Sequence, residues 1–146
     1  METTIMAAMS DYLEAELIKH IFRTGSMTKP TVLSVALCTA ATSDSQTGAT
    51  ITEVANSNNY SRTSLNPLDA NWAATSGSNG LTSNSSVITF PQASGSWGTV
   101  THIAICDSAT WGAGNVLFHG ALAVSKTVSN GDTLSFQIGD LQITLA

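Results

Sequence analysis

Apolar and polar residues alternate along most of this chain, and the dominant period is two. The densest alternation lies in residues 88–122. Residues 87–90 are short and β-prone, and Pro91 stops them. Over residues 99–106, Val100, His102, Ala104 and Cys106 fall on one face and Thr101, Ile103 and Ile105 on the other. Both faces carry apolar side chains, which predicts a central strand covered on both sides. A strand over 116–122 follows a turn built on Trp111, Gly112, Ala113, Gly114 and Asn115. Upstream, residues 32–38 alternate Leu33, Val35 and Leu37 against Ser34, Ala36 and Cys38, a strand with one strongly apolar face. Residues 60–65 form a short strand with Arg62 on one face, broken by Asn66-Pro67. Downstream, Asn130-Gly131 sits between alternating segments and predicts a hairpin. Leu134, Phe136 and Ile138 alternate, Gly139-Asp140 breaks the strand, and Leu141, Ile143 and Leu145 make a last one.

One segment has the helical period. Met9, Leu13, Leu17 and Ile21 recur every fourth residue, and Tyr12, Ile18 and Phe22 widen the stripe. The spacing predicts an amphipathic helix over about residues 4–23. Asp11 can cap it with Glu14 as capping-box partner, or it can begin earlier, near Thr4. Lys19, His20 and Arg23 sit in the last turn, as the macrodipole prefers, and Gly25 can stop it. The apolar face either packs on the protein's own sheet or docks on a partner subunit. If it docks, Met9, Leu13, Leu17 and Ile21 are the interface residues.

Residues 39–59 and 75–86 are polar and read as long loops, the first a candidate contact arm. One helix and seven or eight short strands point to a mainly β fold. The expectation is a compact antiparallel β-sandwich or partly closed barrel with one N-terminal amphipathic helix. The 146 residues are taken as a single domain, helix first and β portion from about residue 31 to the end.

Composition narrows the function. Only 10% of residues are charged, against a usual share of about 25%. Ser and Thr fill the gap. A hydroxyl-rich, weakly repulsive surface suits a protein that lives against neighbours. The net charge is −5, and the five basic residues are scattered, which argues against nucleic-acid binding. There is no apolar run of about 18 residues, so no spanning helix is expected, and no basic secretion leader opens the chain. Synthesis in a cytoplasm is therefore expected. Cys38 and Cys106 both fall in apolar strand patterns: two buried reduced thiols, with a disulfide as the alternative.

Catalytic patterns are weak. His102 and His119 could meet across neighbouring strands and, with Asp107, ligate a metal, but no spaced ligand motif supports it. There is no nucleophile elbow, and the acidic residues form no evident pair. Cys106 beside Asp107 is a poor nucleophile, since the carboxylate opposes ionisation. No enzyme activity and no cofactor are expected; a small hydrolase acting through His102 is the remote alternative. Trp72, Trp97 and Trp111 lie beside Gly or Ala near turns. Each is either a packed aromatic or an exposed platform that could stack on a sugar or anchor an interface.

Three stretches bear a family likeness: DYLEAELIKHIFRTG with KPTVLSVALCT, ITFPQASGSWGTVTHIAICD, and GDTLSFQIGDLQITL. Together they resemble a family of small tailed-phage virion proteins, commonly labelled tail fibre proteins, with related small proteins serving as head decoration. The resemblance implies a virion component assembled in the host cytoplasm, and brings no catalytic residues. The leading expectation is a capsid decoration, or cement, protein that bridges subunits of the major capsid protein and associates with copies of itself as a homotrimer. The alternative is a tail fibre or receptor-binding module that recognises a host surface glycan through the tryptophans.

Overall fold

The computed structural model describes residues 7–75 and 80–145. A short strand, β1 (Ala8–Met9), leads into helix α1 (Asp11–Phe22). There follow β2 (Ser34–Cys38), β3 (Thr63–Ser64), β4 (Gly80–Ser83), β5 (Ile88–Thr89), β6 (Gly98–Cys106), β7 (Val116–Val128), β8 (Ser135–Phe136) and β9 (Gln142–Leu145). Five strands form one antiparallel sheet in the order β1-β7-β6-β2-β3. The antiparallel ladders β4–β9 and β5–β8 supply the opposing layer. The large sheet ends at β1 and β3, so it is open and sandwich-like and does not close into a barrel.

The main core lies between these layers. Val35, Leu37, Ile103 and Ile105 from the large sheet meet Ile88, Phe90, Phe136, Leu141 and Ile143. Tyr60 packs edge-on to Trp97 at 5.2 Å between ring centroids, and Phe90 edge-on to Phe136 at 6.3 Å. Each large side chain buried here contributes about 1.5–3 kcal/mol. The reverse face of β2 and β6 carries Ala36, Cys38, Ala104 and Cys106, covered by Ile51 and Val116. β6 is therefore sheathed on both sides, as its two apolar faces predict.

Val100 departs from the simple alternation. It joins the main core with Ile103 and Ile105, not the small-residue face with Ala104. The cause is an irregularity in the β6–β7 ladder: Val100 pairs with Lys126 and His102 with Ala121, so two steps along β6 meet five along β7. A bulge resets which face a side chain takes.

The polar segment 39–59 is not a free arm. Cys38 bridges to Glu53, Val54 N–H donates to Leu37 O, and Ile51 and Val54 are buried. It lies close because the face beneath it is built of small residues. The other polar segment hides a strand, β4, whose Thr82 pairs with Ile143 of β9. Asn84 secures it: its amide donates to Ser86 O and Gln137 O, and its carbonyl accepts from Leu141 N–H. Asn130-Gly131 does make a turn, with Gly131 at φ 87°, but not the expected hairpin. Gly131 N–H donates to Ala93 O and Ala93 N–H to Asp132 O, so the turn pairs with the segment after Pro91. The chain then crosses to the opposing layer, where β8 joins β5.

The helix starts later than its pattern suggests. Ser10, not Asp11, is the N-cap; its hydroxyl accepts from Leu13 N–H and donates to Val116 O. Residues 7–10 are not helical, because Met9 is held opposite Phe118 in the β1–β7 ladder. The part of the expected helix before residue 7 lies outside the described residues. With Ser10 as cap, the third helical residue is Leu13, so no Glu14 capping box forms. The helix ends on Arg23 in extended conformation rather than on a left-handed Gly25.

Candidate functional site

His119, Thr42 and Asp44 come closest to a catalytic arrangement. Thr42 Oγ1 lies 2.9 Å from His119 Nδ1, and Asp44 Oδ1 lies 2.8 Å from His119 Nε2. Hydroxyl, imidazole and carboxylate thus stand in the order of a relay. Its surroundings do not suit one. The Asp44 side chain is 58% exposed, so water competes for it, and neither of the grooves described below is lined by any of the three. The contacts fasten the start of segment 39–59 to β7. The same loop reaches the helix, where Asp11 N–H donates to Asp44 O.

His102 does not join this group. Its Nδ1 lies 2.9 Å from the neighbouring Thr101 hydroxyl, and burial, with His119 nearby, holds its pKa below the usual value. Asp107 is engaged elsewhere: it accepts from the Asn115 backbone N–H at 2.6 Å and from its amide at 2.9 Å, closing the β6–β7 turn. Among the described residues, no group of three or more His, Cys, Asp or Glu is placed to hold a metal. Cys38 and Cys106 are free and buried on the same face. Cys38 pairs with His102, four residues before Cys106 on β6, so the thiols stand roughly 13 Å apart along the strands, beyond disulfide reach.

The strongest polar cluster is one that sequence patterning did not single out. Arg62 lies under the segment 39–59 with its side chain fully buried, beside Glu53 at 2% exposure. Arg62 Nε and Nη2 each donate to the Glu53 carboxylate at 2.8 Å. Nη1 donates to Ser108 O and Ala113 O, both at 2.9 Å, and Nη2 to Gly48 O at 3.2 Å. The Tyr60 hydroxyl adds a 2.8 Å bond to Glu53. Burial is the largest single effect and opposes the guanidinium charge, but the hydrogen bonds to Glu53 and the carboxylate's charge, with the other acidic groups nearby, together offset it, and Arg62 is held above its ordinary pKa. One residue thus joins segment 39–59, β3 and the turn at 108–114. Every polar group in the cluster is saturated by the protein, which suits a fastening and not a reaction.

The surface offers more. An apolar stripe with a four-residue repeat turns by about 40° at each step, since four residues exceed one 3.6-residue turn. It spirals off the inward side of α1 accordingly: Leu13 is buried, Leu17 half-buried, and Ile21 is 65% exposed. Ile18 and Phe22, at 56% and 79% exposure, extend the outward patch. Of the four residues expected at an interface, Leu13 is therefore taken by the protein's own interior and Met9 belongs to β1. The three tryptophans also separate. Trp97 is buried in the core, its indole N–H donating to Asn58 O, so it is no surface platform. Trp72 is half-buried and donates to Leu65 O. Trp111 is 42% exposed on its Gly-rich turn, tied by its N–H to Val54 O.

Trp72 lines an apolar groove of about 580 Å³ with Leu33, Leu68, Ile105, Phe118 and Leu145. A shallower groove adjoins it across Lys29, Pro67 and Leu68. No residue of α1 lines either one.

No curated protein matches the chain. A family model does, over residues 8–144, under the description podophage GP4 fiber I protein gp80. The match spans both layers of the sandwich, α1 and the Arg62–Glu53 cluster. The chain therefore belongs to this family of phage fibre proteins and is, on that footing, a virion structural component.

Proposed function

We propose that the chain is a non-catalytic fibre component of a podophage virion, fixed in place through the outward apolar face of α1. The observation that carries this reading is the exposure of Ile18, Ile21 and Phe22 on a helix whose other end is anchored by Ser10. Folding leaves these side chains in water, and burial against a partner recovers the cost. The saturated Arg62–Glu53 cluster and the surface position of the Thr42–His119–Asp44 chain support a structural role over a catalytic one. The family description supports a fibre over a cement protein on the capsid shell.

The test is made on the parent phage. Cryo-electron microscopy locates the chain, and particles carrying Phe22→Asp are purified and probed for it by immunoblot. The expected result is fibre density in wild-type particles and loss of the chain from the variant particles, with heads intact. Density spread over the capsid shell replaces the fibre reading with the decoration reading. Undiminished incorporation of the variant refutes docking through α1. Host-glycan recognition, the other role open to a fibre protein, falls to Trp111, whose ring is exposed; binding on a glycan array that Trp111→Ala abolishes establishes it.

A further inference from the structure

We propose that Asn130 is a modification site gated by the fold: it deamidates only when the turn at 129–132 lifts away from Ala93. The inference is independent of how α1 docks.

Asn-Gly is the dipeptide most prone to this spontaneous reaction, because glycine sets no side chain in the way of ring closure. The Gly131 backbone nitrogen gives up its proton to water or base and attacks Asn130 Cγ. A five-membered succinimide forms, the Cγ–Nδ2 bond breaks, and the side-chain nitrogen leaves as ammonia. Water then opens the ring at either carbonyl and leaves Asp or isoaspartate at position 130. The electrophile is within reach here, since Asn130 is exposed. The nucleophile is not free: Gly131 N–H donates to Ala93 O at 2.7 Å. A nitrogen so engaged must surrender that bond before it can lose its proton, and while the bond stands its peptide plane is fixed.

The clasp is held from both sides. Asp132 N–H donates to Ser129 O at 3.1 Å and closes the turn, and Asp132 Oδ2 accepts from Ser129 N–H at 2.8 Å. Gln92 Nε2 donates to Gly131 O at 2.9 Å, and Ala93 N–H to Asp132 O at 2.9 Å. Ala93 packs in the main core, and Val128 and Leu134, which flank the turn, are buried with it. Lifting the turn therefore disturbs the core, so opening is rare. The rate of modification is then the unfolded-chain rate multiplied by the open fraction. The product keeps a record. Isoaspartate routes the main chain through an added methylene, and either product sets a new carboxylate two residues from Asp132. A turn that has reacted to isoaspartate cannot rebuild the same pairing, so position 130 marks chains that have opened there.

The full chain is kept in mildly alkaline buffer, either folded or unfolded in urea, and then digested with trypsin. Asn130 is the only asparagine of the peptide 127–146, so conversion of its amide to an acid is read there by mass spectrometry. Hydrogen exchange at the Gly131 amide is followed in parallel. The expected result is a native rate at least about tenfold below the urea rate, which corresponds to about 1.4 kcal/mol of opening free energy. Gln92→Ala removes the side-chain bond to Gly131 O and leaves residues 127–146 unchanged; Asp132→Ala removes the bond from Ser129 N–H. Both positions are exposed, so folding is preserved and circular dichroism checks it. Each variant is expected to speed exchange and deamidation of the folded chain by the same factor, with Gln92→Ala leaving the urea rate unchanged. A native rate equal to the urea rate overturns the proposal. So does a folded chain that resists deamidation while its Gly131 amide exchanges freely, or a variant that speeds exchange without speeding deamidation.

Discussion

Replacing Arg62 with Met removes the positive half of a buried pair and leaves the Glu53 carboxylate, at 2% exposure, without its counter-charge. Breaking a buried pair from one side costs about 3–5 kcal/mol. The carbonyls of Gly48 and Ala113 lose their Arg62 donors at the same time, which adds to the penalty, while Ser108 O keeps the Ser34 hydroxyl. Against a total stability of about 5–15 kcal/mol this is a large loss. For a chain of this length it lowers the melting temperature by roughly 6–20 °C. Thermal and urea unfolding followed by circular dichroism measure it. Removing both charges, as Arg62→Met with Glu53→Leu, is expected to recover part of the loss, because no buried charge is then stranded. Recovery is incomplete, since the Gly48 and Ala113 carbonyls still lack the Arg62 donors and the Tyr60 hydroxyl lacks the acceptor it had in Glu53. Hydrogen exchange should show segment 39–59 loosening in the single variant. If Arg62→Met unfolds within about 0.5 kcal/mol of wild type, the level of an ordinary surface change, Arg62 is not what holds that segment down.

Four other expectations follow from local geometry. Burial pushes the Cys38 thiol up to about 12 and Cys106 up to about 11, from a usual 9.0, so both should resist alkylation at pH 8 until denaturant is added; rapid native labelling contradicts this. Because both folded-state values are raised, their contribution to stability is complete below pH 9 and is lost as pH climbs toward 11–12, and denaturant midpoints measured across that window check the sign. Gly48→Ala places a Cβ 2.0 Å from the Ala113 carbonyl oxygen, a backbone atom that cannot swing aside, and should cost about 1–3 kcal/mol in a chemical melt; an unchanged midpoint would show that the loop does not lie this close. Ser10→Ala removes both the helix cap and a buried bond to Val116 O, for an expected loss of about 1–2 kcal/mol, and a loss below a few tenths would deny Ser10 that role.

Alternation with a period of two was enough to place most strands, since the core here is a face-to-face packing of sheets and each strand must show one face to it. The sheath on both sides of β6 was legible for the same reason: Ile103 and Ile105 on one side and Ala104 and Cys106 on the other are all apolar. β4 was not, because a strand of Gly, Leu, Thr and Ser needs little apolar character when its stability comes from β9 and from the Asn84 side chain. Nor was the destination of the chain after Asn130-Gly131. A turn signal reports local φ and ψ, whereas the strand that pairs next is chosen by packing across the whole sandwich.

The linear order of residues determined the fold class, the helix, the placing of both cysteines on apolar strands and the family. These are encoded in short-range periodicity and in matched stretches of sequence, which need no coordinates. Tertiary structure alone decided which side of each amphipathic element stays wet. Leu13 and Ile21 belong to one stripe, yet one is buried and the other stands in solvent, because the four-residue repeat rotates around the helix and carries the stripe away from the side that Leu13 buries. Arg62 likewise looks like any strand arginine until the fold brings Glu53 and three carbonyls around it. Contacts between residues far apart in the chain obey no local period, so only the assembled packing can specify them.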